Sequence, residues 1–380
     1  MLSNFNYTTT ARRFATRFPA LSYVGIQITF WVIANNLMGT ILYFHSQFIS
    51  EVFDLPLQYE IKPVYALLTL SGILYGAVLG ATDYYLEKHH FRKMSLGKII
   101  LVKVLISLTM SFVVLSILST VSVERQIPYI TPAKNIFANL APWKEIIYLF
   151  IVFYLLMTLL ISFINQVNKK YGPGILIPII LGKYRNPIEE ERVFMFMDLK
   201  SSTTIAEILG HLQYSSFIRD SFYDINQVLS TYNAEIYQYV GDEIVLTWRV
   251  NSDILYERCA MFFFACQNQF LKRIDYYKDK YGFFPEFKAG LHMGMVTAVE
   301  IGDIKRDIAY HGDTINTTAR IQSVCNQFNK DFLVSEYLLE KTGIQQYFRT
   351  QSIGLIQLKG KSAQIGIASI ERKVDTSCAE

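Results

Sequence analysis

Four long apolar runs occupy the first half of the chain, at roughly residues 22–43, 63–84, 99–120 and 145–166. Each approaches the ~20 residues that a helix needs to cross a ~30 Å hydrocarbon core, so the pattern predicts four membrane-spanning helices within residues 1–166. A linker follows over 167–190, with the breaker sequence Tyr171-Gly172-Pro173-Gly174, an apolar piece at 175–181 and a charged stretch from Lys183. The apolar piece is too short to cross a bilayer and either lies in the interface or pairs with its twin in a dimer. From Val193 the periodicity changes. Strand-like segments are expected at 193–199, 234–240, 243–249, 286–293, 296–301, 306–310, 332–335 and 353–370, and helices at 202–229, 253–278 and 313–326. Ile205, Ile208, Leu209 and Leu212 mark one face of the first of these helices. This order predicts an α+β sheet with helices on one face over 191–372, and a polar, disordered tail over 373–380. No G-x-G-x-x-G or Walker sequence points to a Rossmann or P-loop array.

Composition agrees with a part that lives in lipid: 51% of residues are hydrophobic, 18% are charged and the mean hydropathy is +0.23. Asn35 and Asn36 inside the first run, and the three runs after it, argue against a cleaved signal peptide. Arg12, Arg13 and Arg17 precede the first run, and Lys88, Arg92, Lys93 and Lys98 fill the second connection. By the positive-inside rule those sides face the cytoplasm, so a multi-pass protein of the inner or plasma membrane is expected, with its N-terminus and the 191–372 domain cytoplasmic and lipid as a partner. Four cysteines, Cys259, Cys266, Cys325 and Cys378, lack C-x-x-C spacing and read as reduced structural thiols. The net charge of +4 is carried largely by membrane-flanking residues, which leaves no nucleic-acid footprint.

Two carboxylates carry the first chemical signal. Asp198 closes an apolar strand, and Lys200-Ser201-Ser202-Thr203-Thr204 after it opens a helix whose free N–H groups suit a triphosphate. Asp242 sits in the turn Tyr239-Val240-Gly241-Asp242-Glu243 between two strands. Two strand-end aspartates on adjacent strands suit two magnesium ions and an in-line phosphoryl displacement. Singly, Asp198 reads as a helix cap and Gly241-Asp242 as a hairpin turn. The run Gly312-Asp313-Thr314-Ile315-Asn316-Thr317-Thr318-Ala319-Arg320 changes the balance: Asn316 and Arg320 lie four apart on one helix face, where an amide and a guanidinium suit a ribose and a phosphoryl group. His292 and His311 read as packing or turn residues.

Together these pieces, with Phe196-Met197-Asp198-Leu199, Gly290-Leu291-His292-Met293-Gly294 and Leu358-Lys359-Gly360-Lys361, make the chain resemble the class III nucleotidyl cyclases, over about residues 191–372. The resemblance implies a ferredoxin-like α+β catalytic domain after the four-span α-helical membrane domain. It implies two divalent ions, Mg²⁺ or Mn²⁺, held by Asp198, Asp242 and the Leu199 carbonyl, and a nucleoside triphosphate substrate. Asn316 would position the ribose, Arg320 meet the α-phosphate and Lys361 reach the terminal phosphates, with Ser201, Ser202 and Thr203 also lining the substrate. Such sites form across a homodimer, the aspartates from one chain and the Asn/Arg pair from the other.

Two positions depart from the adenylate pattern. Gln238 stands where a lysine usually reads the base, and Ala309 where an Asp, Thr or Ser usually accepts from the adenine amino group. Gln238 can donate to adenine N1 or accept from guanine N1–H; Ala309 can do neither. ATP is the expected substrate, with guanylate or pyrimidine cyclisation, or a degenerate nucleotide-binding receptor, as alternatives. A GGDEF-type dinucleotide cyclase fits less well, because the hairpin lacks the doubled glycine and Asn316 and Arg320 would have no role.

Overall fold

The computed structural model describes residues 19–54, 61–89, 94–126, 141–171, 181–250, 254–357 and 364–373. The expected interfacial piece at 175–181 and the tail at 373–380 lie almost wholly outside them, and Lys361, Cys378 and the charges at Arg12, Arg13, Arg17, Arg92 and Lys93 wholly so. The chain divides into two units, Met1–Leu176 and Ile177–Glu380.

Among the described residues the first unit holds four long helices, α1 (Pro19–Phe53), α2 (Ile61–His89), α3 (Leu96–Gln126) and α4 (Ala141–Tyr171). Among the described residues, three stretches are long and apolar enough to cross a membrane: Val24–Val52, Lys62–Leu86 and Tyr148–Val167. The fourth expected run, 99–120, is helical within α3, and part of its side chains lie outside the description. The helices expose many large apolar side chains and bury polar ones among the core of Trp31, Tyr75, Phe150 and Tyr154, an arrangement that suits hydrocarbon surroundings. Ile33, Phe44, Phe112 and Phe163 are exposed, whereas Asn35 is buried, donating to Ser71 Oγ at 3.0 Å and accepting from the Tyr154 hydroxyl at 2.9 Å. Asp83 and Lys103, far apart in sequence, form an ion pair at 2.8 Å, and Gln27 Nε2 donates to the same carboxylate at 3.0 Å.

Gly72, Gly76 and Gly80 lie one turn apart on α2 against the backbone of α1. A Cβ on them would stand 2.7, 2.5 and 2.7 Å from the Cα atoms of Val32, Ile28 and Val24. Gly76→Leu is therefore expected to force α1 from α2 and lower the melting midpoint of the solubilised chain by roughly 5 °C, the scale of an overpacked contact. Leu74→Ala, on the exposed side of the same helix, should change it little in the same calorimetric scan.

In the second unit eight strands form one mixed sheet, ordered β2-β3-β1-β4-β6-β8-β7 with β5 paired to the far end of β4. The strands are β1 (Ile188–Leu199), β2 (Glu235–Val240), β3 (Glu243–Arg249), β4 (Phe287–Ile301), β5 (Asp307–His311), β6 (Phe332–Ser335), β7 (Phe348–Ile356) and β8 (Ile365–Arg372). Only β4 and β6 run parallel. β1 is central, antiparallel to β3 on one side and β4 on the other, and its pairing sets Asp198 between Glu243 and Lys288.

Alternation along β1 divides the core, because successive side chains point to opposite faces. Val193, Met195, Met197 and Leu199 pack with α5 (Ser202–Leu229), α6 (Tyr256–Leu271), α7 (Ile274–Tyr281) and α9 (Glu336–Thr342). Phe194 and Phe196 face the other way, toward Tyr237, Tyr310, and Ile315 and Ala319 of α8 (Asp313–Ser323). The expectation of helices on one face is thus corrected: α8 covers the opposite face.

Four further expectations change, the first being the segment 353–370, which is two antiparallel strands, β7 and β8. The segments 286–293 and 296–301 are one 15-residue strand, since Gly294 keeps its place opposite Arg192. The helix expected over 253–278 breaks after Leu271 into α6 and α7. Gly210, with φ 67°, interrupts α5, and the apolar stripe is not one buried face: Ile205 is 5% exposed, but Ile208, before the break, is 65% and Leu212, after it, is 87% exposed. Cys259, Cys266 and Cys325 are free and buried, and burial pushes each thiol well up.

Candidate active site

Asp198 lies at the end of β1, and the two-residue turn Gly241-Asp242 joins β2 to β3 beside it. Gly241 takes φ +62° while Asp242 does not enter the positive-φ region, the pattern of a type II′ hairpin turn, which demands glycine first. The hairpin delivers Asp242 and Glu243 next to Asp198. Burial, then the Asp242 charge, raises the Asp198 carboxyl above its usual range, with Lys288 opposing. Burial, then Asp198 and Asp242, pushes Glu243 up to about 7. Negative charge is therefore in surplus here. Lys288 Nζ meets Asp198 Oδ2 at 3.2 Å, and Gln322 Nε2 of α8 donates to the same oxygen at 3.2 Å.

The segment after Asp198 turns sharply. Ser201 adopts left-handed φ 53°, ψ 30° at the start of α5, a conformation that costs a non-glycine residue about 1–2 kcal/mol. No side chain caps this helix start, so Ser201 and Thr203 stand exposed with Ser202 half-buried around its N-terminal N–H groups. Burial, then the Asp242 charge, raises the Tyr214 hydroxyl, which has Ser202 as its hydrogen-bond partner. Tyr214 is thus bonded to the turn that opens α5 and lies within the field of both aspartates.

On the opposite face of the sheet α8 buries Thr314, Thr317, Thr318, Ile321 and Gln322. Asn316 is left exposed and Arg320 half-exposed. Gly290 allows this packing, since a Cβ there would stand 2.5 Å from the Gln322 backbone nitrogen. Among the described residues neither Asn316 nor Arg320 bonds to either aspartate of its own chain. Gln238 is exposed near the end of β2, and Ala309, 8% exposed, lies on β5. His292 bonds Ser335 Oγ through Nδ1 at 2.7 Å, and His311 is exposed at the end of β5.

Residues 186–369 match the family described as adenylate and guanylate cyclase catalytic domain. This region is a class III nucleotidyl cyclase domain. Adenylate cyclase 2 of Rhizobium meliloti (strain 1021) is 32% identical to this chain over 210 residues, 55% of this chain and 58% of that protein. An adenylate cyclase of Anabaena cylindrica is 21% identical over 181 residues, 47% of this chain and 36% of that protein. The chain therefore spans less than two thirds of either relative. Among solved structures, the adenylyl cyclase CyaB from P. aeruginosa is similar at 15% identity and TM-score 0.43, over 50% of this chain and 98% of that one.

The donors in the cyclase domain suit a hard divalent ion: carboxylate oxygens crowded enough to repel one another, which a bound cation would relieve. Among the described residues no three His, Cys, Asp or Glu side chains converge to ligate one ion. Asp198 and Asp242 would hold Mg²⁺ or Mn²⁺ with the Leu199 carbonyl and substrate oxygens, and Lys288 would give up part of its contact with Asp198. Glu243, Lys288, Tyr214 and Gln322 carried no role in the sequence reading. Only Glu243, directly after Asp242, had a local signal.

Proposed function

We propose that this chain is a membrane-anchored nucleotidyl cyclase that works as a homodimer and converts ATP into 3′,5′-cyclic AMP and pyrophosphate. The observation that carries the reading is the surplus of carboxylate charge where the β2–β3 hairpin meets the end of β1. In the reaction the ribose 3′-oxygen bonds to the α-phosphorus while the bond from that phosphorus to the β-phosphate bridging oxygen breaks, and the hydroxyl proton is lost. Bound divalent ions supply charge neutralisation and a lowered hydroxyl pKa.

The chain's own groups do the rest. Asp198 and Asp242 hold the ions, and N–H groups at residues 201–203 receive phosphate oxygens at the start of α5. Asn316 orients the ribose, and Arg320 neutralises charge at the α-phosphate as the transition state forms. Lys361 reaches the terminal phosphates, and Gln238 donates to adenine N1. Asn316 and Arg320, which bond to neither aspartate of their own chain among the described residues, come from the second copy, as the resemblance to the family implies. Tethering in a membrane favours that pairing by raising effective concentration. The charges flanking the runs support a cytoplasmic N-terminus and catalytic domain.

Base discrimination should be loose, since Ala309 leaves the adenine amino group without a side-chain acceptor. The test offers ATP, GTP, CTP and UTP separately to the purified chain with Mg²⁺ or Mn²⁺ and identifies products by mass. Cyclic AMP as the main product with some cyclic GMP is expected. Exclusive use of GTP or a pyrimidine triphosphate would overturn the base; no cyclic product from any would overturn the activity.

A further inference from the structure

Glu190, Arg192, Phe194, Phe196 and Asp198 share one face of β1, since alternate strand residues do. The two charges at the start of this row are buried: Glu190 is 5% and Arg192 is 3% exposed. Burial that deep requires partners. Arg192 donates from Nε and Nη2 to Glu190 Oε2 at 3.0 and 2.9 Å, and from Nη1 to Glu235 Oε2 on β2 at 3.2 Å. Its guanidinium carbon lies 4.5 Å from the centre of the Tyr310 ring on β5. Glu190 also meets Arg249 at 3.4 Å and Lys183 at 3.3 Å. Burial pushes the Glu190 carboxyl up, but these three cations outweigh it and hold it below the usual range.

The contacts continue to two backbone positions that matter. Tyr310 packs on Phe194 at 5.6 Å and on Tyr237 at 5.0 Å between ring centres, and its backbone N–H donates to the Tyr237 hydroxyl at 3.3 Å. Tyr237 stands where the β2–β3 register shifts, between Ile236 and Gln238. Such a bulge re-aims the side chains beside it. Tyr237 is the chain neighbour of Gln238, and Tyr310 of Ala309.

We propose that Arg192 is a positioning residue for base selection: gripped by Glu190 and Glu235 and stacked on Tyr310, it holds the Tyr237 bulge against β5 and so sets how Gln238 and Ala309 face the base. The inference rests on the proposed base-reading role of those two residues. Lysine cannot substitute, because it lacks both the planar fork that spans two carboxylates and the flat face that stacks on a ring. A network serving stability alone would lower turnover of every triphosphate alike.

The experiment uses the full chain and three variants: Arg192→Lys, Tyr237→Phe, which removes only the hydroxyl that accepts from Tyr310, and Gln238→Ala. Each is assayed for KM and kcat with the purine triphosphate it consumes, and for the inhibition constant of the other. All three should shift the ratio of those two constants about fivefold or more, chiefly through KM, with half-saturation by Mg²⁺ unchanged. If Gln238→Ala shifts the ratio and the other two do not, the positioning role is overturned and the base reading stands. An unshifted ratio in Gln238→Ala overturns the base reading and this proposal with it. Lower kcat and melting midpoint at constant ratio would assign the network to stability alone and likewise overturn the proposal. Should Arg192→Lys fail to fold, Tyr237→Phe decides.

Discussion

Asp198→Asn is expected to lower turnover by roughly 10³-fold or more, since it would remove one of the two carboxylates proposed to hold the ions that stabilise the phosphoryl transition state. Asp242→Asn should behave in the same way. The loss should not come from unfolding. Burial and the neighbouring Asp242 raise the folded-state pKa of Asp198 above its ordinary value. An acid raised on folding is a destabilising charge once ionised, so its contribution is unfavourable at neutral pH and vanishes as pH falls through that range. The asparagine variant should accordingly melt no lower than the parent in EDTA at pH 7. Mn²⁺ should raise the melting midpoint of the parent, through ligand linkage, and leave that of the variant nearly unmoved. Full turnover in the variant, or an equal Mn²⁺-induced shift in both proteins, would refute the metal assignment.

Arg320→Ala is expected to cost at least about 10²-fold in kcat, the scale of losing one donor to developing transition-state charge. Arg320 is only half-buried and its helix packs through the other face, so the melting midpoint should stay within a degree or two of the parent, as for an ordinary surface substitution. Mixing Arg320→Ala with Asp198→Asn then tests the shared site. In a mixed dimer one site carries both defects and the other carries neither, so activity should return toward half the parent value per heterodimer. Verified heterodimers as inactive as each variant alone would place both sets of groups within one chain.

Much of the candidate site could be read locally. Asp198 announced itself because a run of apolar strand residues ended on a carboxylate, and Asp242 because Gly241 before it marked a two-residue turn. Asn316 and Arg320 were readable by spacing alone, four apart on a helix. The ion pair of Asp83 with Lys103 was not readable, because each looks like a charge near the end of a span until two helices are packed together. Lys288 and Gln322 were equally silent. Each reaches Asp198 from a distant element, Gln322 from 124 positions along the chain, and only the register of β1 with β4 and the seating of α8 at Gly290 bring them there.

The sequence by itself determined which segments are apolar enough for a membrane, that an α+β cyclase domain follows them, and which side chains are the candidates for its chemistry. Hydrophobic period, turn glycines and carboxylate position are local properties, and local properties survive in a linear string. Tertiary structure alone decided that α8 covers the opposite face of the sheet, that Ile208 and Leu212, on either side of the Gly210 break, face outward, and that Arg192 lies buried between Glu190, Glu235 and Tyr310. A strand's alternation says that two faces differ but not what covers each one. A charge is affordable inside only where distant partners converge, and that convergence is a property of the assembled sheet.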